Sequence, residues 1–168
     1  LIALARRNPG KLSYASSGLG SSNQMAGELF KLMAKIDILH VPYKGNSPAT
    51  TDLIGGHVDL QFSGVPSVLP FVQSGRARAI AIGSEKRFAA IPDVPTFIES
   101  GLPGYTTSNW FGLVAPTGTA RDIITKINAD ASKALATQDM KERFLAEGLE
   151  LPGGSPEQFG AFIRAEIA

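Results

Sequence analysis

Three short segments concentrate the polar chemistry of this chain: SSGLGSSNQ (16–24), YKGNSPA (43–49) and FSGVPS (62–67). Each is rich in glycine, serine or asparagine, and Lys44 is their only charged residue. Such residues offer hydrogen-bond donors without bulk, and glycine lets backbone approach a ligand closely. In the first segment, Ser21-x-x-Gln24 has the spacing of a capping box. The Ser21 hydroxyl is expected to accept from the Gln24 amide, and the Gln24 side chain to reach back to the Ser21 amide. The amides of Ser22 and Asn23 then stay free. A helix start has unpaired N–H groups and the positive end of the dipole, so it suits an anion. With no Lys or Arg in that loop, neutral donors would hold the anion, which fits a carboxylate bound reversibly. The residues alone equally fit a plain capped helix after a glycine-rich turn.

Catalytic alternatives fail on spacing. A Walker A loop needs Gly-Lys-Ser/Thr, and a dinucleotide fingerprint needs a third glycine where Asn23 stands. A nucleophile elbow needs Gly-x-Ser-x-Gly, and its nearest approach, GNSPA (45–49), ends in Ala49. A hydrolase using Ser47 would also need a histidine. His40 sits in an apolar strand and His57 opens the next one, so both read as structural. No His or acidic cluster has metal-ligand spacing, and no cofactor is expected.

The elements that must position these segments follow from periodicity. Leu1–Ala5 has helical spacing and stops at Asn8-Pro9-Gly10. Strands are predicted at 11–16, 36–43, 57–62 and 77–83. Helices are predicted at 21–35, with Met25, Leu29, Leu32 and Met33 on one face, at 47–56 and at 65–75. This alternation argues for an α/β layer fold with a largely parallel sheet. The three polar segments are then strand-to-helix turns that gather at the carboxyl ends of the strands, where ligands bind in open sheets. Their convergence favours binding, and their lack of acid–base groups argues against catalysis.

Beyond residue 84 the rhythm changes. Turn formers fill 84–105, with a short helix around Phe97–Ser100, and 106–116 reads as one extended run. A helix follows over 119–135, with Ile123, Ile124, Ile127 and Ala131 at core spacing. Another covers 140–147 and stops at Gly148; 149–154 reads as strand and turn, and Ser155 begins a last helix. A domain boundary is expected near 106–116, with Trp110 as a core or interlobe aromatic.

Composition sets the outer bounds. The chain has 168 residues, 43% of them hydrophobic, enough for one large or two small domains. Sixteen basic and fifteen acidic residues leave a net charge of +1, so no nucleic-acid partner is expected. Without cysteine there is no disulfide, thiolate metal site or thiol nucleophile. No apolar run is long enough for a membrane span. The helical patterns at both ends read as those of a piece of a longer protein.

SSGLGSSNQMAGELF, VPYKGNSPATTDLIGGHVDLQF, SGRARAIAIGSEKR, IPDVPTFIESGLPGY and WFGLVAP follow one another as in a known family. The chain resembles the substrate-binding receptors of tripartite tricarboxylate transporters, the Bug family. The resemblance implies a two-lobed, type II periplasmic binding-protein fold, with residues 1–108 forming domain 2 and 109–168 returning to domain 1. It implies a periplasmic receptor, exported by a signal peptide in its precursor, that captures a small organic acid and delivers it to membrane permease subunits. The family's amino-terminal segment would lie outside this chain, so the chain alone should bind weakly. The expected ligand-binding residues are Ser17, Gly18, Gly20, Ser21, Ser22 and Asn23, with Tyr43, Gly45, Ser47 and Ser63 completing the wall. Family members often carry His at the position of Gln24 and Asp at that of Ser63; losing an acid there would make the third loop more tolerant of a negative ligand. The ligand-sensing domain of a transcriptional regulator, which can share this fold, is the alternative.

Overall fold

The computed structural model describes residues 1–107, 110–147, 149, 151 and 153–167. The chain separates into two compact units, Leu1–Asn109 and Trp110–Ala168.

In the first unit the strand–helix alternation is realised. Its elements are α1 (Ile2–Arg7), β1 (Ser13–Ser16), α2 (Ser22–Ala34), β2 (Leu39–Pro42), α3 (Asn46–Ile54), β3 (Leu60–Gln61) and α4 (Val65–Gln73). The strands form a parallel sheet in the order β2-β1-β3. Successive strand residues face opposite ways, and both faces here are covered. Tyr14 enters a cluster with Phe30, Ala34, Ile36, Ile38, Leu102 and Tyr105, on the α2 side. Its neighbour Ala15 packs with Ala49 and Val58, on the α3 side.

Helix α2 turns a different stripe to the sheet than the apolar pattern suggested. Gly27, Phe30 and Ala34 are buried, while Met25 and Leu32 stand 54% and 74% exposed. Of the expected face, only Leu29 and Met33 pack against the core. The large ring of Tyr14 lies beneath α2, and only a small residue fits over it. A Cβ at Gly27 would overlap the Tyr14 ring. Gly27→Ala should therefore destabilise by about 1–3 kcal/mol in urea unfolding, although alanine gains up to ~1 kcal/mol in an open helix. A gain in stability would show that the ring yields freely.

The predicted fourth strand, 77–83, is absent. Its residues alternate in burial, but among the described residues the segment makes one parallel bridge, Ile82 to Thr96, and accepts one further backbone bond, from the Thr107 amide to the Gly83 carbonyl (2.8 Å). Alternation reports burial on one side and cannot supply a ladder partner. The strands expected at 11–16, 36–43 and 57–62 shorten to the few residues that do pair. Around Phe97–Ser100 there is a turn rather than a helix. Thr96 and Glu99 cap each other there: the Thr96 amide donates to Glu99 Oε2 (2.8 Å) and the Glu99 amide to Thr96 Oγ1 (3.1 Å). Gly101, at φ +95°, then ends the turn.

The second unit holds α5 (Arg121–Leu135), α6 (Gln138–Glu147) and α7 (Pro156–Ile167). Ser155 and Gln158 form a reciprocal capping box at the start of α7. Trp110 packs edge-on against Phe159 and Phe162 of α7, at 5.6 and 5.4 Å. The expected core stripe of α5 is not buried: Ile123 is 50% and Ile127 46% exposed. Residues 106–107 and 110–116 form no strand, and neither do Leu149, Leu151, Gly153 or Gly154. Ser108, Asn109, Gly148, Glu150 and Pro152 lie outside the described residues.

Candidate ligand-binding site

The first unit brings the three polar segments together. Each lies just past the carboxyl end of a strand, and the backbone ties the first two to each other. The Tyr43 amide donates to the Ser16 carbonyl (3.1 Å) and the Gly45 amide to the Ser17 carbonyl (3.0 Å). Gly18 sits at φ +137° with its would-be Cβ 3.0 Å from the Tyr43 carbonyl, so no side chain fits there. Phe62, at the head of the third segment, donates to the Ala15 carbonyl (3.1 Å).

A chain of side-chain amides then joins three helix starts. Asn23, in the first turn of α2, donates to Ser17 Oγ (3.0 Å) and to Asn46 Oδ1 (2.8 Å). Asn46, the first residue of α3, donates to Ser67 Oγ in the first turn of α4 (3.3 Å). The N-terminal ends of α2, α3 and α4 therefore meet within hydrogen-bond reach of one another. None of the three carries an acidic residue in its first turn. By contrast α5, α6 and α7 carry Asp122, Asp139 and Glu157 there. The starts of α3 and α4, at Gly45 and Gly64, have no side-chain cap. Three positive dipole ends and their orphan amides thus converge with no built-in negative charge to answer them.

The expected residues stand as follows. Ser21 caps α2, its hydroxyl accepting from the Gln24 amide (3.2 Å) and donating to the Gly18 carbonyl (2.7 Å). The return arm of the capping box is displaced by one residue. Gln24 Oε1 accepts from the Gly20 amide (2.6 Å), because the Ser21 amide is already turned to the Gly18 carbonyl (3.3 Å). Among the described residues the amides of Ser22 and Asn23 find no acceptor. Gly20 and Gly45 take positive φ, which frees their neighbours to turn. Ser47 is exposed at the start of α3.

Tyr43 is placed beside the loops, but its hydroxyl is committed: it donates to Asp52 Oδ2 (2.7 Å), and that bond holds its pKa above the ordinary value. Its ring, rather than its hydroxyl, is what it can offer a ligand. Ser63 Oγ is buried and has no partner among the described residues.

Five participants were not foreseen in these roles. Both polar atoms of the Gln61 side chain are buried and, like Ser63 Oγ, find no partner among the described residues. Gln61 lies in the strand predicted over 57–62, in a sheet whose two faces are both covered. Asn46 and Ser67 carry the bridge between helix starts, a role visible only once α3 and α4 are packed. Ser16 and His40 form a pair, Oγ to Nε2 2.7 Å, across adjacent strands. It is not a hydrolytic dyad: Ser16 is 0% exposed, so no carbonyl can reach it. Ser47, the nucleophile a hydrolase would need, has no histidine hydrogen-bonded to it among the described residues.

The family model described as the tripartite tricarboxylate transporter family receptor matches residues 1–168. The chain belongs to this receptor family. A Pseudomonas relative, a UPF0065 protein, is 41% identical over 167 residues, covering 99% of this chain and 50% of that protein. BugT of Bordetella pertussis is 39% identical over 167 residues, covering 99% and 51%. The chain spans about half the length of these curated relatives. Among solved structures, a Rhodopseudomonas palustris protein with adipate superimposes with a TM-score of 0.93 at 37% identity, covering 99% of this chain and 56% of the other. MatC of R. palustris, with bound malate, gives 0.80 at 31% identity over the same shares. The architecture is therefore part of the α/β binding-protein fold of these receptors, and the family is one of receptors, not enzymes.

Proposed function

We propose that this chain forms one wall of a periplasmic receptor that captures a small organic acid for a tripartite tricarboxylate transporter and its permease subunits. The observation that carries this is the meeting of three helix starts, joined through Asn23 and Asn46, with no acidic residue in any first turn. Each helix end is equivalent to roughly half a positive charge, and a carboxylate at such an end gains about 0.3–1 kcal/mol, more when partly buried. Ser17, Gly18, Gly20, Ser21, Ser22 and Asn23 form the main cradle. Gly45, Ser47, the ring of Tyr43 and Ser63 extend it, and Gln61 adds unfilled hydrogen-bonding capacity beneath. The first unit corresponds to domain 2 of the receptor and the second to part of domain 1. Exposed Phe111, Leu113 and Val114, at 84%, 75% and 83%, accord with a second unit that packs against further chain in the whole receptor.

Dicarboxylates such as adipate and malate are the first probes. In the full-length receptor, a dicarboxylate at a hundred times its Kd should stabilise the fold by about 2.7 kcal/mol in a thermal-shift assay. Neutral diols and diamines of matching length should do nothing. Stabilisation by amines or sugars, with none by any carboxylate, would overturn the assignment.

A further inference from the structure

We propose that His40 is a positioning residue for the ligand loop, holding Gly18 and Gly20 in place through its neutral imidazole with the proton on Nε2. The proposal rests on the binding role given above to that loop.

The proton's place follows from donors that have no choice. The Gly20 amide can only donate, and it donates to Gln24 Oε1 at 2.6 Å. That turns the NH2 group of Gln24 towards His40, whose Nδ1 it approaches at 3.5 Å. Facing a donor, Nδ1 carries a lone pair, so the ring proton sits on Nε2 and is donated to Ser16 Oγ (2.7 Å). Ser16 is then fully used: its oxygen also accepts from the Gly18 amide (3.2 Å), and its own hydrogen goes to the Gly18 carbonyl (3.2 Å). One imidazole thus fixes both ends of the Gly18 residue and, through Gln24, the amide of Gly20.

The ring itself is held from two sides. From β1, Tyr14 stacks on it with centroids 4.8 Å apart. From α2, Glu28 and Lys31 act on it with opposite signs, and Glu28 accepts from the Tyr14 hydroxyl (2.6 Å). Burial is the largest influence and holds the His40 pKa below the ordinary 6.5. Protonation would place a hydrogen on Nδ1 against the NH2 of Gln24. Either the Gln24 amide turns over, setting its NH2 against the Gly20 amide, or it swings away. Both outcomes cost the loop a tie. The unfolded chain takes up this proton first, so the group's contribution to stability is complete above about pH 6.5. It is lost as pH falls from there through the depressed native value.

The test needs no ligand. In long-range 15N spectra at neutral pH, His40 should show the Nε2–H tautomer. As it titrates, exchange of the Gly20 amide, corrected for intrinsic rate, should quicken roughly five- to tenfold, the loss of one hydrogen bond. His40→Gln keeps a side-chain N–H for Ser16 and cannot titrate, so its Gly20 exchange should stay flat over the same range. An Nδ1–H tautomer, or the same pH response in His40→Gln, overturns the proposal; if that variant fails to fold, the wild-type tautomer decides alone. Adipate affinity of the full-length receptor falling in step with Gly20 exchange supports both roles. Exchange that responds while adipate affinity does not leaves the relay standing and removes the ligand from this loop.

Discussion

Asn23→Asp should reduce the affinity of the full-length receptor for dicarboxylates by more than a hundredfold while leaving its fold intact. The change is nearly isosteric, and Asn23 stands where three helix starts meet. A carboxylate there sets a negative charge about 5 Å from the bound one; at an effective dielectric constant of 20 that repulsion is roughly 3 kcal/mol. The surrounding network can reverse rather than break. Ser17 can donate where it now accepts, and Asn46 can turn its amide to donate to the new carboxylate. An acidic residue in the first turn of α2 also suits the helix dipole, so thermal stability should hold or rise by a few tenths of a kcal/mol. Affinity and stability therefore move apart, which separates loss of a site from loss of structure. Calorimetric titration with adipate or malate measures the first and melting the second. Unchanged affinity for both acids would place the ligand elsewhere.

Phe30→Ala should cost about 3–5 kcal/mol, the range for deleting a buried phenylalanine. Phe30 is 2% exposed, and its ring meets Phe62, Phe97 and Tyr105 at 5.5 to 6.4 Å. Tyr105 in turn has its hydroxyl on the Ala26 carbonyl (2.9 Å), and burial raises its pKa to about 12. This aromatic cluster seats α2, and α2 carries the cradle on its first turn. Since whole domains are stable by only about 5–15 kcal/mol, much of the margin would go. Phe30→Leu should lose much less, because it refills most of the volume. Urea unfolding followed at both variants tests this, and a loss under 1 kcal/mol for alanine would mean that the cluster does not anchor the helix.

Much of the site was legible because its chemistry is local. Ser21 and Gln24 lie three residues apart, and a helix start brings such a pair together whatever the rest of the chain does. The glycines of the first loop announced close backbone approach, and Gly18, at φ +137°, shows it against the Tyr43 carbonyl. The failures share one cause, which is dependence on distant partners. The stripe Met25, Leu29, Leu32 and Met33 is helical, yet Gly27 faces the sheet because Tyr14, from strand β1, fills the space there. ARAIAIG alternates like a strand, but among the described residues it forms a single bridge and no ladder. Gln61 drew no notice within the strand 57–62, and its amide is buried because other elements cover that strand.

The sequence by itself determined the strand-to-helix rhythm, the small polar loops at each turn, the absence of acid–base partners in them and the family. These are properties of residue type and short spacing. Only the tertiary structure decided that Asn23, Asn46 and Ser67 join three helix starts, that Tyr43 spends its hydroxyl on Asp52, and that His40 reaches Ser16. Parallel strands pair through crossovers of many residues, so which side chains meet at their ends is set by register and by burial on both faces. No local spacing encodes that choice.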